Sequence, residues 1–192
     1  MTGVSLSMKQ KKQKAGHQEI LGETLAKFEF FQKGWHPYSR FLDVDKVDLI
    51  LRGQSLGKTI YREIQVKFGK LYECKRRWEN RLFSETSWRF FTEKNLHDME
   101  VNGKLFLCYV MSPDKDFQRD IFIFPVRKFT QIVRKAPRTK SGKYNVYISK
   151  SRGDPPRWYL RRKSKFERIE GKSAIDVTRY YLNFKCLGAI DQ

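Results

Sequence analysis

The sequence lacks the features that mark membrane-spanning, secreted or disulfide-rich proteins. No stretch approaches the ~20 consecutive apolar residues that a bilayer-spanning helix needs. Residues 1–14 are basic and polar, without the apolar core of a secretory signal. Cys74, Cys108 and Cys186 are the only cysteines, and their wide separation fits neither a metal site nor a disulfide framework. We therefore expect a cytoplasmic protein with reduced cysteines and no membrane partner.

Several catalytic signatures are missing as well. His17, His36 and His97 are scattered, and no two of them stand at the spacing of metal ligands. No Ser–His–Asp or Cys–His constellation stands out. The segment from Gly53 to Gly57 lacks the lysine and the strand-to-helix context of a phosphate-binding loop. The sequence therefore disfavours nucleotide hydrolysis.

Acidic residues are scarce relative to basic ones. The chain of 192 residues has 40 lysines and arginines against 21 aspartates and glutamates, a formal net charge of +19. Self-repulsion at this charge opposes compaction, so the excess is best explained by a polyanionic partner. Nucleic acid is the first candidate, because neutralising phosphates releases counterions and drives binding. An anionic membrane surface ranks lower, because no basic amphipathic helix with a clean apolar face is visible.

Two β-prone segments, residues 47–51 and 63–67, carry polar side chains where buried strands are usually apolar. Alternate residues of a strand share a face, so Gln65 and Lys67 project together, and Asp48 joins them if the two strands pair. Carboxylate and amide oxygens can hold Mg²⁺, and a neighbouring lysine can orient or deprotonate water. This pattern indicates a metal-dependent hydrolase.

Asp48 followed by Gln65-Val66-Lys67 resembles the metal-site signature of the PD-(D/E)XK nuclease superfamily. The resemblance is to the variant in which glutamine replaces the second acid, as in Mrr-type restriction endonucleases and some intron-encoded homing endonucleases. It covers roughly residues 16–125. The order of a helix with a glutamate, a strand with the aspartate and a strand with the Gln-x-Lys motif strengthens it.

The resemblance implies a role for each residue of the motif. Asp48 would give a carboxylate oxygen to Mg²⁺, with Mn²⁺ as the alternative ion. The side-chain oxygen of Gln65 and the backbone carbonyl of Val66 would complete the protein ligands. Lys67 would steer the attacking water or offset charge on the phosphate oxygens.

The family's first helix often carries a glutamate that faces the metal site. The segment from Gly16 to Trp35 resembles that helix, and Glu23 is the first choice for this glutamate, with Glu19 second. Glu23 would hold a second metal ion or orient a water. Because glutamine is neutral, the motif lacks one negative charge, which Glu63 could restore from the same strand face.

The resemblance also implies an α/β fold, a restriction-endonuclease-like core with a central mixed β-sheet flanked by helices. We assign this core to residues 16–134. Residues 1–15 are expected to form a basic flexible arm, and residues 135–192 a basic C-terminal extension packed on the core, because the composition shifts near residue 134. Single-domain nucleases of this kind often cut as dimers, so we expect a homodimer or a higher homo-oligomer.

Apolar spacing and turn residues predict the order of the secondary structure. Helices are expected at residues 16–33, 84–97, around 129–133, and from 173 to about 184. Strands are expected at residues 36–42, 46–52, 59–68, 105–111, 121–126, 144–149 and 157–160.

Basic and aromatic residues are mixed in several segments, a composition that suits contact with phosphates and unpaired bases. Trp78, Trp158 and Tyr159 either stack on bases or lie in the core, and the core is the more common place for tryptophan. The predicted nucleic-acid-binding residues are Lys75, Arg76, Arg77, Arg134, Lys135, Arg138, Lys140, Lys143, Arg161, Arg162 and Lys163.

The first functional hypothesis is a Mg²⁺-dependent endonuclease that hydrolyses DNA phosphodiester bonds, of restriction, homing or repair type, with RNA left open as a substrate. The second is a catalytically inactive nucleic-acid-binding protein on the same fold. A basic structural component of a ribonucleoprotein would explain the charge but not the arrangement of Asp48 and Lys67. A purely structural alternative for these two residues is an ion pair at a sheet edge. Only the first hypothesis requires strand cleavage that depends on a divalent ion and on these two residues.

Overall fold

A computed structural model describes residues 3–39, 46–113, 118–136, 138–161 and 174–191, with side chains from residue 16 onward. The helices are α1 (Gly3–Gln32), α2 (Arg77–Leu82), α3 (Glu93–Val101) and α4 (Val126–Val133), followed by two 3₁₀ turns, Thr178–Tyr180 and Phe184–Leu187. The strands are β1 (His36–Ser39), β2 (Leu49–Ser55), β3 (Lys58–Glu73), β4 (Phe83–Phe91), β5 (Phe106–Ser112), β6 (Asp120–Pro125), β7 (Tyr144–Ser151), β8 (Trp158–Arg161) and β9 (Ala174–Asp176). None of the described helices has both the length and the hydropathy to cross a bilayer.

The long strand β3 organises the sheet. Its first half pairs antiparallel with β2, its middle pairs parallel with β5, and its last three residues pair antiparallel with β4. β5 continues to β6, while β4 continues through β7 and β8 to β9. The described residues therefore form a mixed nine-stranded sheet with helices against it, and the predicted α/β class is confirmed.

β2 and β4 pair with the same edge of β3 and leave a gap between them. Alternate residues of a strand direct their N–H and C=O groups to the same edge. Ile64 accepts a hydrogen bond from the Asp48 N–H at the β2 end, and Cys74 donates one to the Ser84 carbonyl at the β4 end, both of 2.9 Å. The backbone groups of Val66 and Phe68 lie between these two points and face the gap.

Each face of the sheet carries its own core. On one face, Leu25, Ala26 and Phe30 of α1 pack with Ile64, Val66 and Phe68 of β3 and with alternate residues of β5 and β6. On the other face, α3 and α4 cover the remaining residues of β5 and β6 and the inner side of β7 and β8. Alternation along β3 therefore sends Gln65 and Lys67 to the opposite face from the residues that contact α1.

The predicted helix at residues 84–97 is wrong over its first half. Residues 84–91 belong to strand β4, whose side chains alternate between the buried Ser87 and Phe91 and the exposed Trp88 and Phe90. Aromatic residues favour strands, and this period of two outweighs the mixed apolar spacing. The helix itself begins after Thr92, whose hydroxyl accepts from the Asn95 N–H while the Asn95 side chain accepts from the Thr92 N–H.

The predicted helix from residue 173 to about 184 is also wrong. Ser173, its expected N-cap, lies outside the described residues, and Ala174–Asp176 pairs with β8 as strand β9. The Asp176 carboxylate accepts from the Thr178 N–H at 2.8 Å, which forms a turn instead of a helix start. Leu182 has a φ of 48°, which no right-handed helix can contain.

The domain boundaries expected at residues 16 and 134 do not appear as breaks in the structure. The backbone of α1 runs without interruption from Gly3 across residue 16. Beyond residue 134, β7 pairs with β4 along its whole length, from Phe83 opposite Ser151 to Phe91 opposite Tyr144. The described residues beyond 134 thus belong to the same sheet and contribute to both of its cores, with Leu187 in the core that includes α1.

The three cysteines, Cys74, Cys108 and Cys186, carry free thiols. Burial raises the pKa of Cys74 and of Cys186 to about 11, and it raises the pKa of the fully buried Cys108 as well. All three thiols therefore stay protonated and poorly nucleophilic at neutral pH.

Candidate active site

Asp48 lies just before β2, at the gap in the edge of β3. Its Oδ2 accepts a hydrogen bond of 2.6 Å from the backbone N–H of Val66. The Asp48 carboxylate thus occupies the place that the next residue of a longer β2 would fill. The carbonyl of Val66 faces the same gap, because a strand residue directs both of its backbone groups to one edge.

Gln65 and Lys67 line a cavity of about 190 Å³ on the other face of β3, together with Lys46 and Arg89. Gln65 is only 3 % exposed, and its Oε1 has no hydrogen-bond partner among the described residues. A buried acceptor without a partner costs about 1–3 kcal/mol. This oxygen is therefore suited to a cation or an ordered water.

The ammonium group of Lys67 interacts with both acidic and basic residues, among them Asp48 and Arg89. Burial lowers the pKa of Lys67, the negative charge of Asp48 opposes that effect, and the nearby Arg89 guanidinium lowers the pKa further. The ammonium group therefore gives up its proton more readily than an exposed lysine does.

Glu23, on α1, lies close enough to the site for the charges of Asp48 and Lys67 to act on it. Burial raises the pKa of Glu23, the Asp48 carboxylate raises it further, and Lys67 works in the opposite direction. The close approach of α1 depends on the preceding residue, because a Cβ at Gly22 would lie 2.9 Å from the Phe68 Cβ. Glycine at position 22 thus lets the helix carry Glu23 down onto the strand.

Glu19, the second choice for the acid of the first helix, lies at the edge of the site. It lines a second cavity, of about 180 Å³, together with Gln18, Val66, Lys67 and Arg89. Its negative charge contributes to the raised pKa of Glu23 and partly offsets the lowered pKa of Lys67.

Arg89 is a site residue that the sequence analysis missed. It lines both cavities, and its Nη1 donates to the carbonyl of Phe68, the next backbone group along the gap after Val66. The alternation of aromatic and basic residues in Trp88-Arg89-Phe90-Phe91 could have indicated a strand. Because a helix was predicted over these residues, nothing placed Arg89 beside Lys67.

The donors around the gap fit a hard cation but include few acids. Within the described ranges, no three or more His, Cys, Asp and Glu side chains are grouped to hold a metal. Glu63 accepts a hydrogen bond from Asn102 at the end of α3, so it is already engaged. The oxygens that remain belong to Asp48, Glu23, Gln65 and the Val66 carbonyl, and an all-oxygen set suits Mg²⁺ or Mn²⁺.

Arg161 was predicted to contact nucleic acid, and this prediction is wrong because the residue is only 2 % exposed. Its Nη1 lies 3.1 Å from Glu79 Oε1 and its Nε donates to Ser149 Oγ at 2.8 Å. Its guanidinium also lies about 5 Å from the ring centres of Phe83 and Tyr147. Arg161 is therefore a buried structural arginine.

The other predicted contact residues differ in their freedom to bind phosphate. Arg134 and Arg138 both pair with Glu93, and Arg134 also pairs with Glu100. Arg162 and Lys163 lie outside the described residues. Exposed positions are found for Lys75, Arg76, Arg77, Lys135, Lys140 and Lys143.

Of the three aromatic residues considered for base stacking, Trp158 lies in the core and Trp78 and Tyr159 are half-buried. Trp158 is 1 % exposed and packs edge-on against Phe122. Trp78 is half-buried against the Arg161 guanidinium, and Tyr159 is half-buried against Phe83. Base stacking by Trp158 is therefore excluded by its burial.

Replacing Glu100 with glutamine is expected to lower the free energy of unfolding by about 1 kcal/mol at neutral pH, since the Glu100–Arg134 pair is partly exposed to solvent. The Arg134 hydrogen bond lowers the pKa of Glu100 to about 2. The wild-type advantage should thus be complete above the usual pKa of glutamate and vanish as the pH falls toward 2. Denaturant unfolding at neutral pH and about pH 3 measures this, with Asp98→Asn on the same helix as the control. An equal loss at both pH values would contradict the prediction.

No family model, curated protein or solved structure significantly matches this chain. Its function is therefore argued from the residues around the gap in β3. What these residues offer is two carboxylates, an amide oxygen, a lysine with a lowered pKa and an arginine, all near one strand edge.

Proposed function

We propose that this chain is a divalent-metal-dependent endonuclease that hydrolyses phosphodiester bonds of DNA on a restriction-endonuclease-like core. The observation that carries the proposal is the contact of Asp48 Oδ2 with the Val66 N–H, which sets a carboxylate beside Lys67 at an open strand edge. The net charge of +19 supports a polyanionic substrate. A homodimer, in which each subunit cuts one strand, is the assembly expected for this activity.

The oxygen atoms around the gap are the proposed ligands of a divalent metal ion. Asp48, Glu23, Gln65 Oε1 and the Val66 carbonyl would hold Mg²⁺ or Mn²⁺. A bound ion of this kind offsets negative charge on the phosphate and makes water easier to ionise.

Lys67 and Arg89 would act on the substrate and on the attacking water. The Lys67 Nζ, whose pKa is lowered, would orient the water and accept or return its proton. Arg89, fixed by the Phe68 carbonyl, would direct its remaining N–H groups to phosphate oxygens. Both cations would also offset the charge that develops at phosphorus.

A binding protein without catalysis is the second candidate, and one observation favours it. The described residues bring only two carboxylates, Asp48 and Glu23, to the proposed metal position, and Gln65 adds no charge. Fewer acids weaken the hold on a divalent ion. Such a protein would bind nucleic acid with strong salt dependence and would cut nothing.

The test is cleavage of supercoiled and linear plasmid with Mg²⁺, Mn²⁺ or EDTA. We expect metal-dependent nicking or linearisation that Asp48→Ala abolishes while DNA binding persists. Glu73→Ala, which removes an exposed carboxylate at the end of β3, is the matched control and should cut normally.

Failure of cleavage is interpreted by a metal titration of the DNA-bound protein. A DNA complex that takes up neither Mg²⁺ nor Mn²⁺ would contradict the nuclease and support the binding protein. Uptake that Asp48→Ala removes would support the proposed metal site and direct the search toward a specific target sequence or structure.

A further inference from the structure

The outer face of the β4–β7 part of the sheet carries a group of exposed aromatic side chains. Trp88, Phe90 and Tyr72 are 42 %, 39 % and 47 % exposed, and Tyr147 is half-buried beside them. Trp88 lies directly opposite Tyr147 in the strand register, and Tyr72 lies opposite Thr86 on the same face. We call these four residues the aromatic platform.

The platform is ordered by contacts from within the protein. The ring centres of Trp88 and Phe90 are 4.6 Å apart, and those of Trp88 and Tyr147 are 6.3 Å apart. Trp88 Nε1 donates to Asn145 Oδ1 at 2.7 Å, which fixes the orientation of the indole. Solvent-exposed rings that are held in place lose little side-chain entropy when a flat ligand stacks on them.

The platform meets the candidate active site at Phe90, and strand alternation places its rings on the opposite face of the sheet from Gln65 and Lys67. Phe90 lines the same cavity of about 190 Å³ as Gln65, Lys67 and Arg89. Phe90 is therefore the inner end of the platform, and Trp88 leads outward from it along β4.

The charged residues near the platform indicate which kind of ligand its aromatic rings bind. Lys46, Lys67 and Arg89 line the cavity beside Phe90, and within the described part of the chain no carboxylate shares that lining. At the outer end, Lys70 Nζ lies 5.6 Å from the ring centre of Tyr72. Rings next to this cationic lining suit unpaired bases joined by phosphates, whereas an apolar protein surface would leave these charges desolvated.

We propose that the aromatic platform stacks the unpaired bases of a nucleic-acid strand. The substrate class of the active site is then DNA with a single-stranded segment beside the scissile bond, such as a flap or a fork. Duplex DNA keeps its bases stacked on one another and offers the platform nothing to bind. The binding step stands by itself, while the assignment of a substrate class rests on the proposed nuclease activity.

The first test measures binding in EDTA, so that it does not depend on cleavage. A labelled single-stranded oligonucleotide and a blunt duplex of the same sequence are titrated with wild type, Trp88→Ala, Phe90→Ala and the double variant. Each alanine is expected to weaken single-strand binding by about 10-fold and to leave duplex binding unchanged. Tyr61→Ala, which removes an even more exposed ring at the far end of β3, is the matched control and should bind as wild type.

Tryptophan fluorescence gives a second readout in the same titration. Trp88 is the most exposed tryptophan, since Trp35 and Trp158 are nearly inaccessible and Trp78 is half-buried. Single-stranded DNA should therefore quench the emission, and Trp88→Phe should remove the quenching while it keeps most of the affinity. Trp88→Phe also keeps a ring at this position if the alanine variant proves unstable.

The outcomes separate this proposal from the proposed function. Unchanged single-strand affinity in the double variant, or an equal loss for duplex, would overturn the platform. Dissociation of an oligomer by the double variant would also overturn it and would identify the face as a contact between copies of the chain. Selective binding without cleavage, by a DNA complex that takes up neither Mg²⁺ nor Mn²⁺, would uphold the platform and reject the nuclease. Normal cleavage with no preference for forked over blunt DNA, in wild type and double variant alike, would uphold the nuclease and overturn the substrate class assigned here.

Discussion

Replacing Lys67 with glutamine is expected to slow DNA cleavage by about 10²–10⁴-fold and to leave DNA binding nearly unchanged. Lys67 is one positive charge among many, so its loss alters overall attraction to DNA very little. Its place beside Asp48 at the open edge of β3 makes it the proposed partner of the attacking water. Single-turnover cleavage with saturating protein measures the chemical step, and Lys58→Gln, an exposed lysine on the same strand, is the control.

An arginine at position 67 separates the two ways in which this lysine can act. Arginine keeps the positive charge but does not release a proton at any accessible pH. If Lys67 only offsets charge, Lys67→Arg should recover most of the activity that Lys67→Gln loses. If Lys67 transfers the proton, both variants should be equally slow, and the wild-type rate should rise with pH until the lowered pKa of Lys67 is passed. Full activity in Lys67→Gln would contradict both roles.

Replacing Arg161 with methionine is expected to lower the free energy of unfolding by about 3 kcal/mol. The change leaves Glu79, whose side chain is 13 % exposed, without its partner and removes a hydrogen bond from Ser149. Denaturant unfolding measures the loss, and Arg157→Met, a largely exposed arginine just before the same strand, should cost far less.

The double variant Arg161→Met with Glu79→Leu tests the reason for that loss. If the cost comes from the charge left behind on Glu79, removing both charges should restore much of the stability. A double variant as unstable as Arg161→Met alone would instead assign the loss to the packing of the guanidinium among Trp78, Phe83 and Tyr147.

The sequence could predict the part of the site that the β2–β3 hairpin forms. Asp48 and Lys67 lie on adjoining segments joined by a tight turn, so alternation along two strands was enough to bring them together. Arg89 comes from a strand that meets β3 only beyond the gap, at Leu71–Glu73. Nothing in the residues next to Arg89 specifies that crossing.

The strands that the sequence predicted well are the ones whose side chains are apolar on both faces. β5 and β6 are covered by a core on each side and read as continuous apolar runs. β4 has one exposed aromatic face, so its apolar residues did not separate a strand from a helix. Arg161 stood in a basic run that looked solvent-exposed, because its partner Glu79 is 82 residues earlier in the chain.

The gap in the edge of β3 gives its side chains unequal freedom to change during evolution. Asp48 and Arg89 occupy backbone groups that would otherwise lack a partner, so they serve the sheet whether or not the site works. The side chains of Gln65 and Lys67 are not known to satisfy a backbone group of the sheet. An apolar residue at position 65 would remove the buried Gln65 oxygen that has no hydrogen-bond partner among the described residues. Descendants without the proposed activity would therefore keep Asp48 and Arg89, while substitutions would accumulate at positions 65 and 67. Homologous chains with the proposed activity should therefore be recognised by conserved Gln65 and Lys67, and inactive ones by other residues at these two positions.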